Sequence, residues 1–140
     1  MTALDAALSY ADRGWAVVPL TGKHPNWPVL STVYGTNSWK QLGQQPASPD
    51  EIRAWVEADS TTGIGIICGQ PSGGLVVADF DTDQPRFLPP TPTVRTGRGR
   101  HAYFRDPTVT STVVQPWGEL RSTGSYVVAP PSRHDSGRGF

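Results

Sequence analysis

"GLVVADFDTD", residues 74–83, decides how this chain is built. Leu75, Val76, Val77 and Ala78 make a short apolar run that reads as a buried strand. Asp79, Asp81 and Asp83 then fall at every second position with no basic residue among them. Alternate side chains on a strand share a face, so Asp79 and Asp81 point the same way with Cα atoms roughly 6.5–7 Å apart. Two free carboxylates held like that repel each other, and burial raises the cost. A hard cation such as Mg²⁺ or Mn²⁺ resolves the conflict, because it takes oxygen ligands and keeps positions open for water and phosphate. The alternative is a solvated strand end running into a turn. For Asp83, ahead of Gln84-Pro85, turn chemistry is the simpler reading.

Working outward, "GIGIIC" (63–68) reads as a second strand, joined to the first by a Gly/Pro/Ser turn. Upstream, Ser48-Pro49-Asp50-Glu51 predicts a helix start: Ser as cap, Pro in the first turn, Glu three residues after the Ser. That helix runs to about Glu57. At the N-terminus Leu4, Ala7, Leu8 and Ala11 keep helical spacing between a Thr2 cap and Gly14. "WAVVPL" follows as a short strand. Residues 21–47 read as a long polar connection, with Trp27 and Trp39 as anchors. Downstream, "TVRT" and "HAYFR" are two strands joined by "GRGR", and "GELRS" with "SYVVAPP" reads as a closing hairpin through Thr123-Gly124. Helices with their strands, then a run of strands, predict an α+β domain.

Composition narrows the function. The chain has 140 residues, enough for one domain with a modest core. No apolar run approaches the roughly 20 residues that cross a membrane, and no signal peptide is evident, so a cytoplasmic location is expected. The single Cys68 excludes an internal disulfide and a Cys-rich zinc site. The zero net charge hides an asymmetry: residues 1–85 hold nine acids against four bases, and residues 86–140 hold three acids against eight arginines. An Arg-rich half suits phosphate or nucleic acid, since a guanidinium grips phosphate bidentately; arginines scattered over a solvated surface are the plain alternative.

Within "TVRTGRGRHAYF", a Gly-Arg-Gly-Arg turn lets the backbone approach an anion while Arg98 and Arg100 supply charge. His101 then opens a strand, as a phosphate donor or as a satisfied structural histidine. No Gly-Lys-Ser/Thr follows, so this is not a Walker loop, and "GIGIICG" is not a dinucleotide fingerprint. Glu119 and Arg121 alternate on one strand face. By themselves they read as an exposed ion pair worth well under ~1 kcal/mol.

Five stretches in order resemble one family. "ALSYADRGWAVVPLTGKHP" is similar to its N-terminal helix, strand and lysine-bearing loop, and "SPDEIRAWV" to its next helix. "GIGIICGQPSGGLVVADFD" resembles paired strands ending in a first acidic motif, "PTVRTGRGRHAYF" a second motif with its histidine, and "GELRSTGSYVVAPPSRHDSG" a third. The family is the bifunctional primase/polymerase (prim-pol) domain of the archaeo-eukaryotic primase superfamily, found in plasmid and phage replication proteins. The resemblance implies an RRM-like sheet merged with an N-terminal α/β unit. It makes Asp79 and Asp81 a metal-binding pair, Glu119 the third metal ligand where the family usually has Asp, and His101 and Arg121 contacts to the nucleotide triphosphate. Arg98, Arg100 and Lys23 would add phosphate contacts. It implies two Mg²⁺ or Mn²⁺ ions, NTP or dNTP as substrates, a single-stranded DNA template and a primer. Trp27, Trp39 and Trp117 offer stacking surfaces for bases, whereas Trp15 reads as core.

Two departures stand out. Only Thr82 to Thr91 separates the first motif from "TPTV", where relatives commonly carry a longer insertion with a helix. The chain also stops at "GRGF", where relatives usually continue. A single compact prim-pol domain over residues 1–140, the N-terminal part of a larger primase–helicase, is the expectation. Two other classes compete: a non-catalytic nucleotide or single-strand binding module, which Glu119 in place of Asp favours, and a metal-dependent phosphohydrolase or nuclease using the same acids on water.

Overall fold

Thr2 accepts a hydrogen bond from the Asp5 N–H (3.1 Å), and Ser48 accepts one from the Glu51 N–H (3.2 Å), so both expected caps open their helices. These are α1 (Ala3–Asp12) and α4 (Pro49–Ala58) in a computed structural model that describes residues 2–81, 91–96 and 99–132. Asp83, Arg98 and the third motif's tail from residue 133 lie outside the described residues. Between the two helices come β1 (Ala16–Thr21), β2 (His24–Pro25), α2 (Trp27–Tyr34) and α3 (Gln41–Gln44). After α4 come β3 (Gly63–Ile67), a 3₁₀ turn (Gln70–Ser72), β4 (Leu75–Phe80), β5 (Thr93–Arg95), β6 (Arg100–Arg105), β7 (Val113–Gln115), β8 (Gly118–Arg121) and β9 (Tyr126–Ala129).

The strands form two sheets, ordered β2-β1-β3-β9 and β5-β6-β4-β8-β7, and every pairing among the described residues is antiparallel. Helices with antiparallel sheets agree with the α+β expectation. The helices cover the first sheet: Ala7, Leu30, Leu42, Ile52 and Trp55 share a core with Val18, Leu20, Ile64 and Ile67. A second cluster joins the sheets, with Ile66, Cys68, Val127 and Ala129 of the first meeting Leu75, Val77 and Tyr103 of the second. Because Val77 and Asp79 share a strand face, the acids stand on the face of β4 that packs against the first sheet.

Three expectations need correction. Residues 21–47 are not a plain connection but contain β2, α2 and α3. Asn26 caps α2 by accepting from the Val29 N–H (3.2 Å), Pro28 stands in its first turn, and Gly35 ends it at φ 67°. "GIGIIC" and "GLVVADFD" do not pair as neighbouring strands; β3 and β4 lie in different sheets, with an isolated Gly69–Leu75 bridge between the segments. The crossover runs through Gly69, at φ 82°, where a Cβ would stand 2.2 Å from the Thr123 nitrogen. Likewise β8 and β9 are no hairpin, since the chain passes from one sheet to the other between Ser122 and Ser125. The expected β5–β6 pairing is present, with Arg95 opposite Arg100.

Two buried polar groups give opposite expectations. Asn26, 1% exposed, donates from Nδ2 to Asp59 Oδ2 and to Thr62 Oγ1, both at 3.0 Å, besides capping α2. Asn26→Ala removes the α2 cap and one donor each from Asp59 and Thr62, and is expected to cost about 2–4 kcal/mol in urea unfolding. Tyr103 is the converse: its ring packs on Trp15 at 5.8 Å, yet its buried hydroxyl has no hydrogen-bond partner among the described residues. Tyr103→Phe is therefore expected to be neutral or stabilising by up to ~1 kcal/mol, read in the same experiment.

Candidate active site

β4 is the middle strand of the second sheet, and Asp79 lies in its last turn of pleat, directly opposite His101 on β6 and Glu119 on β8. Directly paired residues share a face, so His101, Asp79 and Glu119 form one row across three strands. Arg121, two residues beyond Glu119, stands on the same face one step diagonally from Asp79. Asp81 leaves the strand with its N–H donating to the Trp117 carbonyl (3.0 Å), which extends the ladder and keeps its side chain on the Asp79 side. Gly118 makes the close β4–β8 approach possible: at φ 147°, a Cβ there would lie 1.9 Å from the Asp79 carbonyl oxygen.

The row ends in an open cleft of about 500 Å³. Asp79, Asp81, His101, Glu119 and Arg121 line one side; Lys23, Trp39 and Tyr126 line the other. Trp39 meets Tyr126 edge-on at 5.1 Å, and the Tyr126 hydroxyl donates to the Lys23 carbonyl (2.8 Å), so an aromatic pair braces the lysine-bearing turn. Tyr126 had no signal of its own in the sequence; it is simply the first residue of an apolar strand.

Asp79 is the most constrained group. Its side chain is 19% exposed; Arg121 Nε donates to Oδ2 at 2.8 Å, and His101 Nε2 lies 3.3 Å from Oδ1. Burial pushes the carboxyl upward, but the His101 hydrogen bond and the charges of His101 and Arg121 outweigh it, leaving the pKa below its ordinary 3.8. Asp79 is therefore ionised throughout the neutral range. Because the folded value is depressed, its contribution to stability is present above the ordinary value and is lost as pH falls through the folded one. Arg121 Nη1 also donates to the Tyr126 carbonyl at 3.3 Å, which ties the row to β9. Beneath it Cys68 is fully buried, and burial pushes its thiol up to about 12, so it is no nucleophile at neutral pH.

The remaining expected site residues divide. Arg100 alternates with His101 along β6 and so takes the opposite face, where its guanidinium lies 5.0 Å from the centre of the Phe80 ring; it does not line the cleft. Phe80 in turn stacks on Trp117 at 4.8 Å, which places Trp117 on that outer face as well. Trp27 is 43% exposed on α2.

Asp79, Asp81 and Glu119 suit Mg²⁺ or Mn²⁺ in donor chemistry and in sharing one cleft wall. Among the described residues, however, no three His, Cys, Asp or Glu side chains are gathered closely enough to hold a metal ion. Both Asp79 oxygens are engaged instead by His101 and Arg121.

Fold and site together define an α+β domain with a row of acids, a histidine and an arginine facing an open cleft, a set of groups suited to phosphate ligands. The chain belongs to the bifunctional DNA primase/polymerase N-terminal domain family, Prim-Pol, whose model matches residues 7–139. The family suggests DNA primase and polymerase activity, and hence DNA and nucleotides as substrates. No curated protein matches the chain significantly. Among the described residues, no helix is long and apolar enough to cross a membrane.

Proposed function

We propose that the cleft carries out template-directed nucleotidyl transfer, joining NTP or dNTP to a 3′-hydroxyl on single-stranded DNA. The observation that carries this reading is the row itself, in which Asp79 stands between His101 and Glu119 while Asp81 and Arg121 line the same cleft. Two carboxylates directly opposite on neighbouring strands are an unfavourable pair, which a fold keeps where the charge is used. Asp79, Asp81 and Glu119 would hold two Mg²⁺ or Mn²⁺ ions, whose chemistry is to lower the pKa of the attacking hydroxyl and to neutralise the departing pyrophosphate. Arg121 grips a phosphate with its planar fork, and His101 donates to a second phosphate oxygen. Lys23, across the cleft, contributes charge to the triphosphate tail. Arg98, which falls between β5 and β6 in the sequence, stays in the proposal as a phosphate contact.

The wider setting in this reading is phage or plasmid replication in a bacterial cytoplasm, with the chain as the catalytic domain of a primase–helicase; the motif resemblance supports it. The RRM-like description of the second sheet belongs to the same proposal. One observation favours a second reading, a non-catalytic nucleotide or single-strand binding module: Asp79 is fully engaged by Arg121 and His101.

The test is incorporation of labelled NTP and dNTP on a single-stranded template, with and without primer, in Mg²⁺ and in Mn²⁺. Template-dependent product is expected in the primed lanes, and product in the unprimed lanes adds priming. Nucleotide binding without product in any lane supports the binding module.

A further inference from the structure

We propose that Arg121 is an exchangeable occupant of Asp79, so that an arriving triphosphate draws the guanidinium off the carboxylate and opens Asp79 to a divalent cation. This rests on the nucleotidyl-transfer reading of the cleft and adds its order of assembly. Arg121 holds Asp79 Oδ2 through Nε at 2.8 Å, and Nη1 bonds the Tyr126 carbonyl at 3.3 Å. His101 holds the other oxygen at 3.3 Å. A cation approaching Asp79 therefore meets a carboxylate already neutralised and a positive group against it. The two Arg121 contacts use two of the five donors a guanidinium carries, so a phosphate in the cleft can be gripped before Asp79 is released.

The exchange conserves favourable charge pairing. The single Nε–Oδ2 contact to carboxylate is exchanged for a guanidinium–phosphate pair, which can be bidentate, while the freed carboxylate gains the cation. Arg121 is 31% exposed and Asp79 19%, so the contact is partly screened and its rupture is a modest step. The Tyr126 carbonyl gives the guanidinium a second anchor on β9, about which it can turn without leaving the cleft. Asp79, once released, is available to a cation in the cleft that Asp81 and Glu119 also line. By reciprocity the two ligands are coupled: whatever factor the triphosphate adds to cation affinity, the cation adds to triphosphate affinity. The domain then avoids loading metal at an empty cleft.

A double-mutant cycle reads the exchange directly. Binding of a fluorescent non-hydrolysable dNTP analogue is measured in EDTA for the wild type, Asp79→Asn, Arg121→Gln and the double variant, each checked by thermal unfolding. Removing the Asp79 charge relieves repulsion of the phosphates in any scheme, but it frees Arg121 only where Arg121 is present. Asp79→Asn is expected to tighten metal-free analogue binding about tenfold in the wild type, and less than about threefold with Arg121→Gln. Equal factors in both backgrounds would overturn the exchange while leaving nucleotide binding intact. Absence of analogue binding in every variant, with and without Mn²⁺, would overturn the exchange together with the functional reading beneath it. The cation side is read by electron paramagnetic resonance of Mn²⁺ without nucleotide: Arg121→Gln is expected to bind about tenfold tighter than the wild type, and unchanged or weaker binding contradicts the proposal. Arg121→Lys, which keeps the charge but loses the fork, completes the same cycle if the Gln variant does not fold.

Discussion

Asp79→Asn is expected to lower templated incorporation by at least about 10³-fold under single-turnover conditions, with the fold retained. The side chain is isosteric and the strand pairing is made by the backbone, so the arrangement of β4, β6 and β8 stays in place. What disappears is the negative charge on the central member of the row, an acid touched by both His101 and Arg121. The Asp79→Ala/Asp81→Ala pair is expected to show the same loss. Some stability at neutral pH is lost with the charge, because His101 and Arg121 favour the ionised carboxyl. A melt of each variant separates that cost from the chemical one. Undiminished incorporation would show that Asp79 is a structural ion-pair partner and nothing more.

Glu119 is expected to separate charge from reach. Glu119→Gln keeps the length and removes the charge, and is expected to cost about 10²–10³-fold in the same assay. Glu119→Asp restores the acid that the family usually carries, and is expected to stay within about tenfold of wild type. The cross-strand register supports this pair of outcomes, since Glu119 is directly opposite Asp79 and one methylene alters only how far its carboxylate extends into the cleft. If Gln is as active as Glu, the third carboxylate has no part in the chemistry.

Much of the site was legible because its signals are local. Alternation along β4 and β8 put Asp79 with Asp81 and Glu119 with Arg121, and those faces are the ones that meet in the cleft. The same alternation, applied strictly to "GRGRHAYF", separates Arg100 from His101, which is why Arg100 ends over Phe80. Both capped helices were legible from Thr2 and Ser48 for the same reason. The division into two sheets was not. A Gly-rich turn such as residues 69–74 can close a hairpin or carry the chain to another sheet, and the choice depends on distant packing of Gly69 against Thr123. The α2 helix was obscured by β-branched Val29, Thr32 and Val33, whose weak helical preference is overridden by the Asn26 cap and the burial of Val29 and Leu30. The Asp79–Arg121–Tyr126 link joins residues 42 and 5 positions apart across both sheets, so no local pattern announces it.

The most direct measurement follows the phosphates themselves. A primer on a single-stranded template is incubated with one γ-labelled dNTP, matched or mismatched to the next template base, while primer length and released phosphate species are recorded together. Nucleotidyl transfer gives one pyrophosphate for each nucleotide added, only with the matched base, and neither in Asp79→Asn. Release of orthophosphate without primer growth, or bound nucleotide with no product, would contradict it.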